Sequence, residues 1–105
     1  MKAFRVEGVA QAEFDEAAAW YEARRDGLGG EFIAEVDRVL LRIAHAEKFA
    51  TSPLVTVKDG VVRREFVDRF PYVVIFIETD HQRRVIMIRR GSSDPSRWRA
   101  RLQSR

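Results

Sequence analysis

The sequence predicts an α+β domain, in which an N-terminal strand and a helical hairpin precede a three-stranded antiparallel β-meander, in the order β-α-α-β-β-β. Three observations predict it: two segments with apolar residues at helical spacing, a glycine-rich break between them, and three apolar, β-branched segments separated by turns of hairpin length. A length of 105 residues fits a single domain, residues 1–105, and leaves no room for a second.

The first half of the chain predicts one short strand and two helices. Ala3–Val6 is typical of a strand, whose position in the sheet the pattern leaves open. A helix is expected over residues 11–25, with an apolar face of Phe14, Ala17, Ala18 and Tyr21. The glycines of residues 27–30 should end this helix. A second helix is expected over residues 31–47, with Phe32, Val36, Val39, Leu40 and Ile43 inward and Glu35, Asp37, Arg38 and Arg42 outward.

The second half predicts a loop and three strands. Residues 49–59 have the composition of a loop, and residues 61–67 predict a strand with one solvent-exposed face. Residues 72–77 are apolar throughout, which indicates a central strand covered on most of both faces, and residues 84–90 form the third strand. Residues 95–105 can add one short turn of helix.

Charge is unevenly distributed along the chain. Residues 1–60 carry 8 Lys/Arg and 11 Asp/Glu, whereas residues 61–105 carry 11 arginines and 5 acidic residues. This asymmetry indicates a basic working surface in the second half, facing a polyanion or an acidic partner. Arginine favours bidentate contacts with carboxylate or phosphate groups.

Several classes of protein and site are not expected. The chain has no cysteine, and the separation of its two histidines, His45 and His81, matches no metal-ligand spacing, so we expect no metal site and no cofactor. The N-terminus lacks the apolar core of a signal peptide, and the longest apolar run, residues 72–77, is too short to span a bilayer. A cytoplasmic protein is expected.

Three blocks of residues carry a resemblance to a known family. They are Trp20-Tyr21-Glu22 with Gly27-Leu28-Gly29, Phe32 and Val36; Val62-Arg63-Arg64 with Arg69-Phe70-Pro71-Tyr72; and Val85-Ile86-Met87-Ile88 with Asp94-Pro95 and Trp98. In this order and spacing the blocks resemble the ParE branch of the ParE/RelE superfamily, the toxins of type II toxin–antitoxin systems that include plasmid stabilisation proteins. The resemblance extends over roughly residues 3–98.

The resemblance implies a bacterial toxin that is silenced by a cognate antitoxin wrapped around it. ParE-type members are associated with poisoning DNA gyrase, and RelE-type members cut messenger RNA on the ribosome. Many members have a histidine, a small residue and two arginines before Asp-Pro, where this chain has Arg90-Gly91-Ser92-Ser93. Three hypotheses follow: a gyrase-binding toxin, a RelE-like endonuclease, or a relative that keeps only antitoxin binding.

The candidate site residues are mostly arginines of the second half. We expect antitoxin or target contacts from Arg63, Arg64, Arg69, Arg89 and Arg90, gathered on one docking face of the sheet. For a nuclease, Arg64 and Arg90 would hold the phosphate and Tyr72 would assist proton transfer. Structural interpretations compete with these: Trp20 and Tyr21 are expected to be packing residues, and Arg63 or Arg64 can pair with a helix carboxylate such as Glu35 or Asp37.

Overall fold

A five-stranded sheet carries a helical hairpin on one face. The computed structural model describes residues 2–91 and Arg101. Its elements are β1 (Ala3–Val6), α1 (Gly8–Arg24), α2 (Leu28–His45), β2 (Val55–Val57), β3 (Gly60–Phe66), β4 (Tyr72–Thr79) and β5 (Gln82–Arg90). The strand order is β1-β5-β4-β3-β2, with β1 parallel to β5 and every other pair antiparallel. The predicted α+β fold is confirmed, while the helical turn expected in residues 95–105 lies outside the described residues.

One local prediction is wrong. Residues 49–59 were expected to form a loop, yet Val55–Val57 is a strand, β2, that pairs antiparallel with the start of β3. Val57 is opposite Gly60, so only Lys58 and Asp59 form the turn between the two strands. The two turn residues are not the Asp-Gly pair that marks such turns, since Gly60 already pairs within β3, and a three-residue strand is too short to show periodicity.

The turn between the helices is residues 25–27, so the predicted break at residues 27–30 is wrong in that residues 28–30 already belong to α2. Gly27 has φ +86°, a conformation that favours glycine. The Glu22 carboxylate accepts hydrogen bonds from the backbone N–H groups of Gly27 and Gly29, at 2.9 Å each, and so satisfies donors at the start of α2. A Cβ on Gly29 would lie 2.7 Å from the Ala18 carbonyl oxygen. Close approach of the two helices therefore requires glycine at this position.

Both helices bury the faces that their spacing predicts. The buried residues of α1 include Phe14, Ala17, Ala18 and Tyr21, and those of α2 include Phe32, Val36, Val39 and Ile43. Their rings form a cluster with the β3–β4 turn and the start of β4: Tyr21, Phe32, Phe70 and Tyr72 have ring centroids 4.9–6.1 Å apart. Edge-to-face contacts of this kind stabilise the junction between helices and sheet.

The central strand β4 is covered on both faces, as its apolar run predicts. Val74 and Phe76 pack with the helices, in one cluster with Val85 and Ile88 of β5. The alternating residues belong to a second cluster on the other face, which contains Val62, Val73, Ile75, Ile77, Ile86 and Met87. Because successive side chains of a strand point to opposite faces, β4 supplies the core on both sides of the sheet.

The edge of β5 is closed partly by side chains. β1 pairs only with Gln82 to Val85 of β5. Beyond that point, the Glu13 carboxylate accepts a hydrogen bond from the Ile88 N–H at 3.0 Å, and Arg101 donates one to the Ile86 carbonyl at 2.8 Å. Arg101 also contacts Glu13 through both of its terminal nitrogens, at 2.9 and 2.7 Å. One ion pair thus satisfies an amide and a carbonyl that a neighbouring strand would otherwise bind.

Candidate functional site

Arg63 belongs to a largely buried ion-pair cluster, which we call the Glu78 hub. The Glu78 carboxylate accepts hydrogen bonds from Arg63 Nε at 2.8 Å, Arg83 Nε at 2.8 Å and Lys2 Nζ at 3.3 Å. The sequence allowed Arg63 or Arg64 to pair with a helix carboxylate such as Glu35 or Asp37, but the carboxylate that Arg63 binds, Glu78, is on β4. Its guanidinium also lies 5.4 Å from the ring centroid of Phe49.

Arg83 joins this hub to the end of α2. Arg83 as a whole is only 3% exposed. Its terminal nitrogens donate hydrogen bonds to the carbonyl oxygens of Ile43, Ala46 and Glu47. These carbonyls lie at the C-terminus of α2, where a cation also complements the helix dipole. Burial, the largest influence, raises the pKa of Glu78, but hydrogen bonds from Arg63, Arg83 and Lys2 together lower that pKa below its usual value.

Arg69 lies in the β3–β4 turn and contacts α2. Its backbone has φ +69°, and its guanidinium contacts Glu31 Oε1 at 2.7 Å and Glu35 Oε2 at 3.5 Å. Glu35 was expected to face outward, but it is 9% exposed because it lies on the flank of α2 beside this turn. Hydrogen bonds from Arg69 and then Arg25 lower the pKa of the Glu31 carboxyl. Arg69 therefore fastens the turn to the helical hairpin.

Arg64 lies on the face of the sheet away from the helices. It is opposite Ile75 of β4, which belongs to the cluster on that face. Its guanidinium lies 4.9 Å from the ring centroid of Phe66, a side chain that is 60% exposed. We call Arg64 and Phe66 the β3 patch. An exposed phenylalanine beside an exposed arginine is a typical feature of protein-binding surfaces.

Tyr72 and Arg90 lie on the opposite face from Arg64. They face each other across β4 and β5, and Tyr72 packs against the core beneath the helices. The phosphate clamp expected from Arg64, Arg90 and Tyr72 is therefore not assembled on one face. Burial raises the pKa of the Tyr72 phenol, with Tyr21 adding to the increase and Arg90 opposing it, so the phenol stays protonated near neutral pH.

Arg90 instead extends towards α1, in a cluster that we call the Trp20 patch: Trp20, Arg24, Tyr72 and Arg90. The Arg24 guanidinium lies 3.9 Å from the Trp20 ring centroid, and Arg90 lies 6.0 Å from it. Arg90 is also 5.9 Å from the Tyr72 ring. Trp20 was expected to be a packing residue with Tyr21; Tyr21 is 8% exposed, but Trp20 is 45% exposed.

The five candidate arginines therefore do not gather on one docking face, as the sequence led us to expect. Arg89 lies opposite Val73, on the face away from the helices, with its Nε 3.6 Å from Glu13 Oε2. Of the other four, Arg63 is in the Glu78 hub, Arg69 in the β3–β4 turn, Arg64 in the β3 patch and Arg90 in the Trp20 patch. Sequence reasoning missed Arg24, although its spacing of four residues after Trp20 is a signal for contact along a helix.

Within residues 2–91 and Arg101, no three His, Asp or Glu side chains are grouped in a way that could hold a metal ion. In the same part of the chain, neither helix is long and apolar enough to cross a membrane.

Comparison with known proteins identifies the fold. No protein-family model matches the chain, and no curated protein matches its sequence. A chain in a solved structure described as the chromosomal ParDE TA system from P. aeruginosa is similar, with a TM-score of 0.68 at 15% sequence identity. The alignment covers 86% of this chain and 96% of that chain. The chain therefore has a ParE-like fold, as its motif order predicts.

Proposed function

We propose that this chain is the toxin of a type II toxin–antitoxin pair, neutralised in the bacterial cytoplasm by a cognate antitoxin. The observation that carries the proposal is the fold shared with a chain of a ParDE system over nearly the whole length of both chains. The order of the motifs, from Trp20-Tyr21 through Phe70-Pro71-Tyr72, adds independent support. Fold alone does not determine function, so the surfaces must supply the contacts.

The β3 patch is the surface that best suits an antitoxin segment. β2 pairs with β3 only from Gly60 to Val62, so within the described residues no strand continues along the outer edge of Arg63 to Phe66. An extended peptide can add to such an edge by main-chain hydrogen bonds. Phe66 offers an apolar contact and Arg64 a charged one. An acidic segment with alternating apolar residues is the partner that this edge suits.

The other candidate arginines differ in how much we expect them to contribute to antitoxin binding, because their surroundings differ. Arg63 and Arg69 already bind carboxylates of this chain, so we expect an antitoxin to contact them at most at their margins. Arg89 lies on the same face as Arg64 but on β5, with β4 between them, and it already lies 3.6 Å from Glu13, so we expect it to contribute less. Replacing Arg64 and Phe66 should therefore weaken the complex more than replacing Arg69.

DNA gyrase is the target that we propose, on the family resemblance. The RelE-type alternative needs cations and a proton donor around one phosphate, whereas Arg64 is separated by the sheet from Tyr72 and Arg90. This separation favours a toxin that acts by binding. It makes DNA gyrase the first candidate and ribosome-bound messenger RNA the second.

Expression tests the toxin proposal directly. Inducing the chain in bacteria should arrest growth, and co-expressing the short reading frame beside its gene should restore growth. Arg64→Ala with Phe66→Ala should reduce affinity for the purified antitoxin by about tenfold or more, because both side chains are proposed interface anchors. Arg38→Ala, an exposed arginine on α2, is the matched control. Growth unaffected at high expression would contradict a toxin.

Two assays on the purified chain separate the targets. Inhibition of gyrase supercoiling without cleavage of ribosome-bound message is the expected result. Site-specific message cleavage that is lost in Arg64→Ala would replace gyrase with RNA as the target. Silence in both assays, together with retained antitoxin binding, would identify a relative that keeps only the binding function.

A further inference from the structure

The Trp20 patch is a second exposed surface, although the Trp20 ring also contacts the buried Tyr21 edge to face. Large aromatic side chains usually contribute to the core, but Trp20 leaves 45% of its surface exposed on the flank of α1. Arg24 covers one side of the indole at 3.9 Å. Within the described part of the chain, no carboxylate lies within 4.0 Å of the Arg24 guanidinium. Its charge is therefore available to a ligand.

Stacking against the indole prepares Arg24 to bind a carboxylate. A guanidinium that lies on an aromatic ring keeps its N–H donors in its own plane, pointing away from the ring. Holding the long side chain in place also reduces the entropy lost when it binds. A carboxylate can then accept two parallel hydrogen bonds, while the exposed part of the indole contacts an adjoining apolar side chain.

The surroundings favour a peptide over a nucleic acid. Arg24 covers one face of the ring, which leaves a base only the other face for stacking. Glu16 lies one helical turn before Trp20 on α1, so its carboxylate would repel the next phosphate of a continuous backbone. A peptide can place one carboxylate at Arg24 and a neutral residue beside Glu16.

From these contacts we propose that the Trp20 patch binds an acidic, extended peptide segment of a protein partner, with a carboxylate on Arg24 and an apolar side chain on Trp20. Arg90 and Tyr72 form the floor of this surface at the ends of β5 and β4. The patch is separate from the β3 patch, and the inference does not depend on toxicity or on the antitoxin.

Peptide binding by the purified chain tests the inference. The probe is a short, fluorescently labelled peptide of alternating glutamate and leucine, followed by anisotropy. The wild type should bind it, and added salt should weaken the binding. Arg24→Gln should weaken binding about tenfold through the loss of a charge-assisted contact. Trp20→Ala should weaken it by a similar factor, and thermal unfolding verifies that this variant stays folded despite the lost ring contact with Tyr21.

Matched controls make the result decisive. Arg38→Gln removes the same charge from an exposed position on α2, and it should change the affinity by less than about twofold. Equal losses in Arg24→Gln and Arg38→Gln would overturn the proposal, because the binding would then follow net charge alone. Tighter binding of a single-stranded RNA of matched charge, sensitive to Arg24→Gln, would assign the surface to nucleic acid instead. Self-association of the wild type that Trp20→Ala abolishes would assign it to a second copy.

Discussion

The arginines at the two ends of the β4–β5 hairpin have opposite surroundings. At one end, Arg83 is buried with Glu78, and its donors are taken up by that carboxylate and by carbonyls of α2. At the other end, Arg90 lies with Arg24 around the exposed ring of Trp20. One end ties a helix to the sheet, and the other presents charge and aromatic surface to solvent.

This difference separates structural arginines from those available for recognition. A buried guanidinium is tolerated only with a carboxylate and further acceptors, so its removal should cost stability. An exposed guanidinium on an aromatic ring, such as that of Arg24, contributes little to folding but retains donors for a ligand. The partners of each arginine, and not its place in a basic segment, therefore indicate its role.

The largest expected effect is the loss of the Glu78 hub. Glu78→Gln leaves Arg83 and Arg63 without their shared negative charge, and we expect it to lower the free energy of unfolding by about 3 kcal/mol. Urea unfolding measures this, with Glu16→Gln on the surface of α1 as the control, expected to change stability by no more than about 0.5 kcal/mol. A loss below about 1 kcal/mol would mean that the two ends do not differ as described.

A smaller loss of stability is expected from a substitution where the two helices approach each other. It tests whether the end of the molecule that carries Trp20 is loosely packed throughout. Gly29→Ala places a Cβ 2.7 Å from the Ala18 carbonyl oxygen, so we expect a loss of about 1–3 kcal/mol. Gly30→Ala, one residue further along α2, meets no atom within 4 Å and should stabilise the helix by up to about 1 kcal/mol. Thermal unfolding of both variants checks the contrast, and equal effects would contradict the close helix approach.

Acid should act on the hub through the same carboxylate. The pKa of Glu78 is lowered in the folded chain, so its stabilising contribution is fully present above the unfolded value, roughly 4.3, and is lost as the pH falls through the lowered folded value. Unfolding free energies measured from pH 7 down to pH 3 should fall less steeply in Glu78→Gln than in the wild type. Parallel curves would show that the hub does not control acid stability.

The smallest effect on stability is expected at the Trp20 patch. Arg24→Gln should change the free energy of unfolding by no more than about 0.5 kcal/mol, because the side chain is exposed and lacks an internal carboxylate partner among the described residues. The same urea measurements apply. A loss comparable to that of Glu78→Gln would make Arg24 a structural residue and erase the comparison.

Regular periodicity allowed the fold to be predicted, and its limits explain the errors. Phe14, Ala17 and Tyr21 repeat at helical spacing, so α1 and its buried face follow from the sequence. Trp20 is one residue from Tyr21, which on a helix turns the side chain by about 100° and takes it from the core to the surface. Two adjacent aromatic residues therefore cannot both be assigned to the core, even though the rings of Trp20 and Tyr21 touch edge to face at 5.1 Å.

The site was harder to predict because its contacts connect distant parts of the chain. Alternation shows that Arg63 and Arg64 point to opposite faces, but only the pairing register decides which of them faces the helices. Arg83 contacts carbonyls about 40 residues away, at Ile43 and beyond, which no local pattern reveals. The contact between Arg24 and Trp20 is the exception, because it is local and its spacing of four residues could have been recognised in the sequence.

The mismatch in length between β1 and β5 has a consequence for how the chain is handled. Where β1 stops, the carboxylate of Glu13 and the guanidinium of Arg101 occupy hydrogen-bonding positions of Ile88 and Ile86 that a foreign strand could use. Substituting Glu13 would open those positions while leaving the cores intact. We therefore expect a Glu13 substitution to promote association through this edge at high concentration.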